Sequence, residues 1–80
     1  MAIEWKDNEA MIIFNREFYD MYPITEVCEK FQHLSKFLVC FKRDENIIEV
    51  IVRPKVEIDL EKLVYEFCNN CLHEQIKLSK

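Results

Sequence analysis

Two cysteines separated by two residues, with a histidine close behind, form the part of the chain best suited to chemistry. Cys68 and Cys71 make a C-x-x-C pair, and His73 follows. Such a spacing occurs in thiol redox sites, where a helix N-terminus stabilises the thiolate, and in zinc sites, which need four tetrahedral ligands. The apolar periodicity places Cys68 more than two turns inside its helix, and no second such spacing exists among the other donors, which are Cys28, Cys40 and His33. We therefore interpret the cysteines as packing residues and expect no cofactor; a metal- or thiol-binding protein that uses Cys68, Cys71 and His73 is the alternative.

Groups for nucleophilic or acid–base catalysis are present, but they are not arranged in a recognisable constellation. A nucleophilic serine or cysteine needs a neighbouring base that a third group orients. The two histidines fall on separate predicted helices, and adjacent carboxylates such as Asp44 and Glu45 are typical of turns. We therefore predict no catalytic residue and a protein that is not an enzyme.

Composition indicates a single small domain, residues 1–80, without a phosphate-binding loop. Half of the 80 residues are apolar, which is enough for one core without metal or disulfides. The chain contains no glycine. Phosphate-cradling loops and dinucleotide fingerprints need glycine for close backbone approach, so both classes are excluded. Tight turns are expected to use Asn and Asp, which tolerate left-handed conformations.

The charge and hydropathy of the chain limit the classes of partner that it is expected to bind and the cellular compartment in which it is expected. The net charge is −4 and no basic stripe is present, which argues against nucleic-acid binding. The apolar run at residues 37–41 is far too short to span a membrane, and the N-terminus lacks the features of a signal peptide. The four cysteines are therefore expected as thiols in a reducing compartment, and the cytoplasm is the predicted location.

Hydrophobic periodicity predicts an α+β domain with the element order β-α-β-β-α. A right-handed crossover followed by a hairpin gives a two-layer sandwich, with an antiparallel sheet in the order 1-3-2 and both helices on one face. Residues 2–6 are a candidate for an extra N-terminal strand that turns at Asp7 and Asn8. The expected elements are strands at 10–14, 36–42 and 47–53, a helix from Pro23 to near Ser35, and a second helix after an N-cap at Asp59.

Alternation along the three strands leaves a second sheet face that is also mainly apolar. A solvated sheet face normally alternates to polar residues, and a contiguous apolar patch on a small protein marks a contact site. In one interpretation the N-terminal segment, with Ile3 and Trp5, folds across this face and covers it. The others are a homodimer through the sheet and a different protein or peptide partner. The predicted partner-binding residues are Met11, Ile13, Leu38, Cys40, Ile47 and Ile51.

Short segments spread over residues 10–76 also carry a resemblance to a known family. The segments are Ile12-Ile13-Phe14, Tyr22-Pro23-Ile24, Phe31, Val50-Ile51-Val52-Arg53-Pro54-Lys55, and Glu66-Phe67 with Asn69, Leu72 and Gln75. In this order they resemble the HxsD-like small proteins of the His-Xaa-Ser systems. The C-x-x-C pair at Cys68 and Cys71 departs from that pattern.

The resemblance implies an accessory protein of radical S-adenosylmethionine enzymes that modify ribosomally made peptides. It carries over no catalytic residues. The function predicted from the sequence is therefore a non-catalytic adaptor that binds such an enzyme, its precursor peptide or both. A metal- or thiol-binding protein and a self-associating structural domain are the alternatives.

Overall fold

The computed structural model describes residues 1–78, which form four strands and two α-helices joined by short connections. The strands are β1 (Ala2–Lys6), β2 (Glu9–Asn15), β3 (Ser35–Lys42) and β4 (Ile47–Pro54), and the helices are α1 (Met21–Lys30) and α2 (Leu60–Leu78). A short 3-10 helix, Arg43–Glu45, joins β3 to β4. Over this range the α+β class is confirmed; Ser79 and Lys80, the end of the predicted domain, lie outside the described residues. Neither of the two helices has the length and hydropathy of a membrane span.

The sheet is antiparallel throughout, and it has four strands, one more than the predicted order 1-3-2 contains. The order is β1-β2-β4-β3, in which the predicted strands 1, 2 and 3 correspond to β2, β3 and β4, and β1 is added beside β2. Residues 2–6 pair along the outer side of β2, with Ala2 opposite Ile13 and Lys6 opposite Glu9. The last strand in sequence, β4, lies between β2 and β3. The difference arises because the free side of β2 offers its backbone hydrogen-bonding groups to the N-terminal segment.

Both helices pack on one face of this sheet and enclose the core between the two layers. Alternate residues of β2 and β4 are fully buried there, and the helices add the other half of the cluster. Phe67 of α2 lies at the centre, stacked on Phe37 at 4.9 Å between ring centroids and edge-on to Phe31 at 6.0 Å. The buried strand residues are Ala10, Ile12, Phe14, Ile48, Val50 and Val52.

The helix boundaries follow local backbone chemistry. The Asp59 carboxylate accepts hydrogen bonds from the backbone N–H groups of Glu61 and Lys62 at 3.1 and 3.3 Å, which confirms the predicted N-cap of α2. By contrast, α1 ends at Lys30 and not near Ser35, because the chain turns at residues 31–34 before β3. Pro23 is the third residue of α1, still within the first turn, where a missing N–H costs nothing.

At the β3–β4 turn, an asparagine adopts the left-handed conformation for which glycine is the usual residue. Asn46 follows the 3-10 helix with φ 53° and ψ 44°, the left-handed region. Asparagine enters this region at lower cost than other residues with a Cβ. The expectation that asparagine replaces glycine at a tight turn is confirmed at this position.

A side-chain amide joins the loop before α1 to the far end of α2. Gln75, which is 9% exposed, accepts a hydrogen bond from the backbone N–H of Asp20 at 2.8 Å and donates one to the Asp20 carboxylate at 3.0 Å. Arg16 pairs with the same carboxylate at 2.8 Å. Together these contacts connect the exit of β2, the start of α1 and α2.

Replacing Gln75 by alanine is expected to lower the free energy of unfolding by about 1–2 kcal/mol, because the Asp20 N–H loses its partner in a partly buried position. Chemical denaturation followed by circular dichroism measures the change. Gln32→Ala, an amide truncation at an exposed turn position, is the matched control and should change the stability by less than about 0.5 kcal/mol. Equal effects of the two substitutions would contradict a structural role for Gln75.

Candidate functional site: an open sheet face

The N-terminal segment does not cover the second sheet face, so that interpretation was wrong. Strand pairing places Ile3 opposite Ile12 and Trp5 opposite Ala10, which puts both side chains on the helix side of the sheet. Ile3 packs against the core, and the ring of Trp5 meets that of Tyr65 in α2 at 6.0 Å, edge to face. The segment thus widens the sheet by one strand and leaves its second face open.

On that open face, the six predicted partner-binding residues surround a single carboxylate. The strand register sets Met11 and Leu38 on either side of Ile51, and Ile13 and Cys40 on either side of Glu49. Ile47 and Ile51 are the neighbours of Glu49 two residues away along β4, on the same face. We call these six residues the apolar ring; its members are Met11, Ile13, Leu38, Cys40, Ile47 and Ile51.

The apolar ring is accessible within the part of the chain that the structure describes. Leu38 is 57% exposed, Cys40 is exposed, and the other four are half-buried by their neighbours in the sheet. All helix residues in the core cluster contact the opposite face, which is the face of Ile12, Val50 and Val52. An apolar group of this kind on the outside of a thin two-layer domain is the feature expected of a contact surface.

The carboxylate at the centre of the ring is held by a lysine from the neighbouring strand. Lys42 Nζ lies 3.1 Å from Glu49 Oε2, and the Glu49 side chain is only 16% exposed. The Glu49 carboxylate raises the pKa of Lys42, because it accepts a hydrogen bond from the ammonium group and stabilises its charge. The apolar ring therefore encloses one neutralised ion pair, so a partner could cover the ring itself without burying an unpaired charge. Glu4 of β1, opposite Met11, lies at the border of the ring.

A row of charged residues borders the apolar ring on the side of the β1–β2 turn. The register aligns Lys6, Glu9, Arg53 and Lys36 across the four strands. Arg53 Nε donates to Glu9 at 3.1 Å, while Lys36 lies beside Arg53. Apolar centres with charged borders are typical of protein-binding surfaces.

The predicted alternative, a metal or thiol site at the C-x-x-C pair, is not assembled in the structure. Cys68 and Cys71 are 4% and 0% exposed and belong to the core cluster, whereas His73 lies on the exposed side of α2. No group of three His, Cys, Asp or Glu side chains able to hold a metal ion occurs among residues 1–78. The structure therefore separates His73 from the two thiols that the sequence places next to it.

Burial also makes the core thiols poor nucleophiles. It raises the pKa of Cys68 to about 11 and that of Cys28 to about 12. The pKa of Cys71 is raised further, first by burial and then by the neighbouring thiols of Cys68 and Cys28. Because the thiolate is the reactive form, these three groups remain in their unreactive state at neutral pH. Cys40, on the open face, is the exposed cysteine.

Glu49 and its partner Lys42 are the site residues that sequence reasoning missed. The alternation of β4 already places Glu49 between Ile47 and Ile51 on the second face, and this was the available signal. Its central position depends on the pairing with Ile13 and Cys40, which only the register shows. Comparison of the chain with protein-family models, with curated proteins and with solved structures gave no match.

Proposed function

We propose that this protein is a non-catalytic accessory protein that binds a protein partner through the apolar ring. The observation that carries the proposal is the open second face, where six apolar side chains surround a neutralised ion pair. A free apolar surface is costly in water, and its burial against a partner is favourable at about 25 cal/mol per Å² of apolar area. The enclosed face holds the core, whereas the apolar ring lies on the open face and is accessible to a partner.

The chemistry of the remaining groups supports a binding role over a catalytic one. Burial keeps the core thiols protonated, and His73, an exposed candidate base, has no nucleophile beside it among the groups described above. The resemblance to HxsD-like proteins suggests which partner to test first, a radical S-adenosylmethionine enzyme that modifies a peptide, or its precursor peptide. A reducing compartment, such as the cytoplasm, agrees with four free thiols.

The test is affinity capture from the native host's lysate with three forms of the immobilised protein, followed by mass spectrometry. Ile51→Glu places a charge in the apolar ring, next to Met11 and Leu38. Ile76→Glu is the matched control, because Ile76 is also an exposed isoleucine, 48% accessible, but lies on α2. Circular dichroism and thermal melting establish that both variants fold.

We expect the wild-type protein and Ile76→Glu to capture a radical-type modifying enzyme or its precursor peptide. Ile51→Glu should bind the purified partner at least about tenfold more weakly, because the charge is desolvated on binding without an ion-pair partner. If Ile51→Glu retains the captured partner, the apolar ring is not the binding surface. If only further copies of the chain are captured, the self-associating structural domain replaces this proposal.

A further inference from the structure

The outer edge of β3 is a second surface with free binding capacity, and it differs chemically from the apolar ring. β3 is an eight-residue strand at the end of the sheet, paired only with β4 within the described residues. An edge strand presents unpaired backbone N–H and C=O groups that can accept another strand. Such an edge is usually protected by proline, a bulge or charged side chains. Between Ser35 and Lys42, the strand contains neither proline nor glycine, and it carries one lysine near each end.

The start of this edge is positively charged, although the whole chain is acidic. Lys36 lies directly opposite Arg53, a like charge, and no carboxylate among residues 1–78 lies within ion-pair distance of Lys36. Lys55, which follows β4, is exposed close by; its backbone N–H donates to Leu34 O at 2.9 Å. Arg53 is compensated by Glu9, and Lys55 Nζ donates to a backbone carbonyl, so Lys36 is the cation at this edge that has no partner among residues 1–78.

A groove on the helix side of the same edge gives room for the side chains of an added strand. It has a volume of about 420 Å³ and lies between the last turn of α1 and the start of β3. Its walls include Gln32, Phe37 and the two lysines, Lys36 and Lys55, together with one carboxylate, Glu29. Lys55 Nζ also donates to the backbone carbonyl of Gln32 at 2.7 Å, which holds that lysine at the groove.

A second copy of the chain would leave the charge of Lys36 unsatisfied at this edge. A pair of β3 strands centred on Leu38 sets Lys36 opposite Cys40, and the other well-overlapped pair is less favourable still. An antiparallel pair of β3 strands centred on Val39 would place Lys36 of each copy opposite Lys42 of the other. Like charges directly opposite each other destabilise a strand pair, and here the clash would occur twice. A partner with a carboxylate at the corresponding position would satisfy Lys36 instead.

We propose that the β3 edge binds an extended peptide segment as a fifth, antiparallel strand, with an acidic residue near the carboxyl end of that segment. Every pairing in the sheet is antiparallel, and this geometry is also the more stable one per residue. An antiparallel segment has its carboxyl end beside Lys36, at the start of β3. The inference rests on the proposed function in one respect, namely that the chain binds a polypeptide partner.

The test uses fluorescence anisotropy with labelled decapeptides and the full-length protein. One probe alternates valine and threonine and ends in two glutamates, and a second has the same composition with the two glutamates at its amino end. A third is the first probe with alternate backbone amides N-methylated on the edge that would pair. Lys36→Glu is the informative protein variant, and Lys62→Glu is its matched control, because Lys62 is exposed on α2 away from this edge.

We expect the probe with carboxyl-end glutamates to bind about fivefold more tightly than its isomer, the effect of one good exposed ion pair. Lys36→Glu should abolish or reverse this preference, Lys62→Glu should keep it, and N-methylation should weaken binding by more than about tenfold through the lost main-chain hydrogen bonds. Equal binding of the two isomers, or unchanged binding of the N-methylated probe, would overturn the inference.

Two further outcomes are also decisive. If no probe binds below millimolar concentration, the edge is not a peptide site. If sedimentation shows dimers of the wild-type chain that probe peptides do not dissociate, the occupant of the edge is a second copy and the inference fails. These results are separable from a failure of the proposed function, which is read from the Ile51→Glu capture experiment and involves no peptide at β3.

Discussion

Replacement of Phe67 by alanine is expected to reduce the free energy of unfolding by about 3–5 kcal/mol. Phe67 is 0% exposed and contacts the two aromatic rings of Phe31 and Phe37 from different elements. The substitution removes the burial of its own ring, leaves a cavity and deprives both neighbours of their aromatic partner. A domain of this size has a total stability of roughly 4–12 kcal/mol, so a large share of it would be lost.

Urea unfolding followed by circular dichroism measures this effect. Phe18→Ala is the matched control, because Phe18 is 69% exposed in the loop before α1 and undergoes the same chemical change. We expect that control to alter the stability by less than about 0.5 kcal/mol. Comparable losses in the two variants would mean that the cluster around Phe67 does not hold the two layers together.

Alkaline pH is expected to destabilise the fold through its buried thiols. Unfolded cysteine has a pKa near 8.5, whereas burial raises the pKa of Cys68 to about 11 and that of Cys71 further. Between these pKa values the unfolded chain has lost thiol protons that the native state retains. The thiols therefore make their full contribution to the free energy of unfolding below about pH 8.5, and this contribution falls as the pH rises. We expect a loss of about 2 kcal/mol from each of these two thiols between pH 7.5 and pH 10, which is about 4 kcal/mol in total.

The experiment is urea unfolding at pH 7.5 and pH 10 in the presence of a reducing agent. Cys71→Ala lowers the stability at both pH values, and it should also remove about 2 kcal/mol, the share of one thiol, from the difference between them. Cys40→Ala is the control, since this cysteine is exposed on the second face and should leave the difference unchanged. If Cys71→Ala keeps the full pH dependence, the alkaline effect comes from groups other than the core thiols.

Periodicity in the sequence was sufficient to assign the two faces of the sheet. In β4, Val50 and Val52 alternate with Glu49 and Arg53, and the period of two residues decides which side each occupies. The cap at Asp59 could be predicted for a similar reason, because its carboxylate acts on N–H groups two and three residues away. Both features depend only on neighbours along the chain.

The features that were predicted wrongly are those for which the local sequence is compatible with more than one structure. Ile3 and Trp5 are two residues apart, a spacing that suits burial on either face, so it does not distinguish a strand beside β2 from a segment across the sheet. The end of α1 was predicted too late because Phe31 and Leu34 continue the helical spacing, although the chain already turns there to pack against the core. The arrangement of the apolar ring around Glu49 likewise requires the register between distant strands.

The position of β4 in the middle of the sheet has a consequence for how the chain reaches this fold. The β1–β2 pair and the β3–β4 pair are each joined by a short turn, whereas Ala10 meets Val52 across 42 residues of sequence, the difference between the two numbers. Closing so long a loop carries a larger entropic cost than closing a turn. The sheet therefore consists of two local hairpins connected through α1, and we expect their edge-to-edge pairing to be the slow step of folding. During synthesis, the inner edge of β2 can therefore pair only after β4 has left the ribosome.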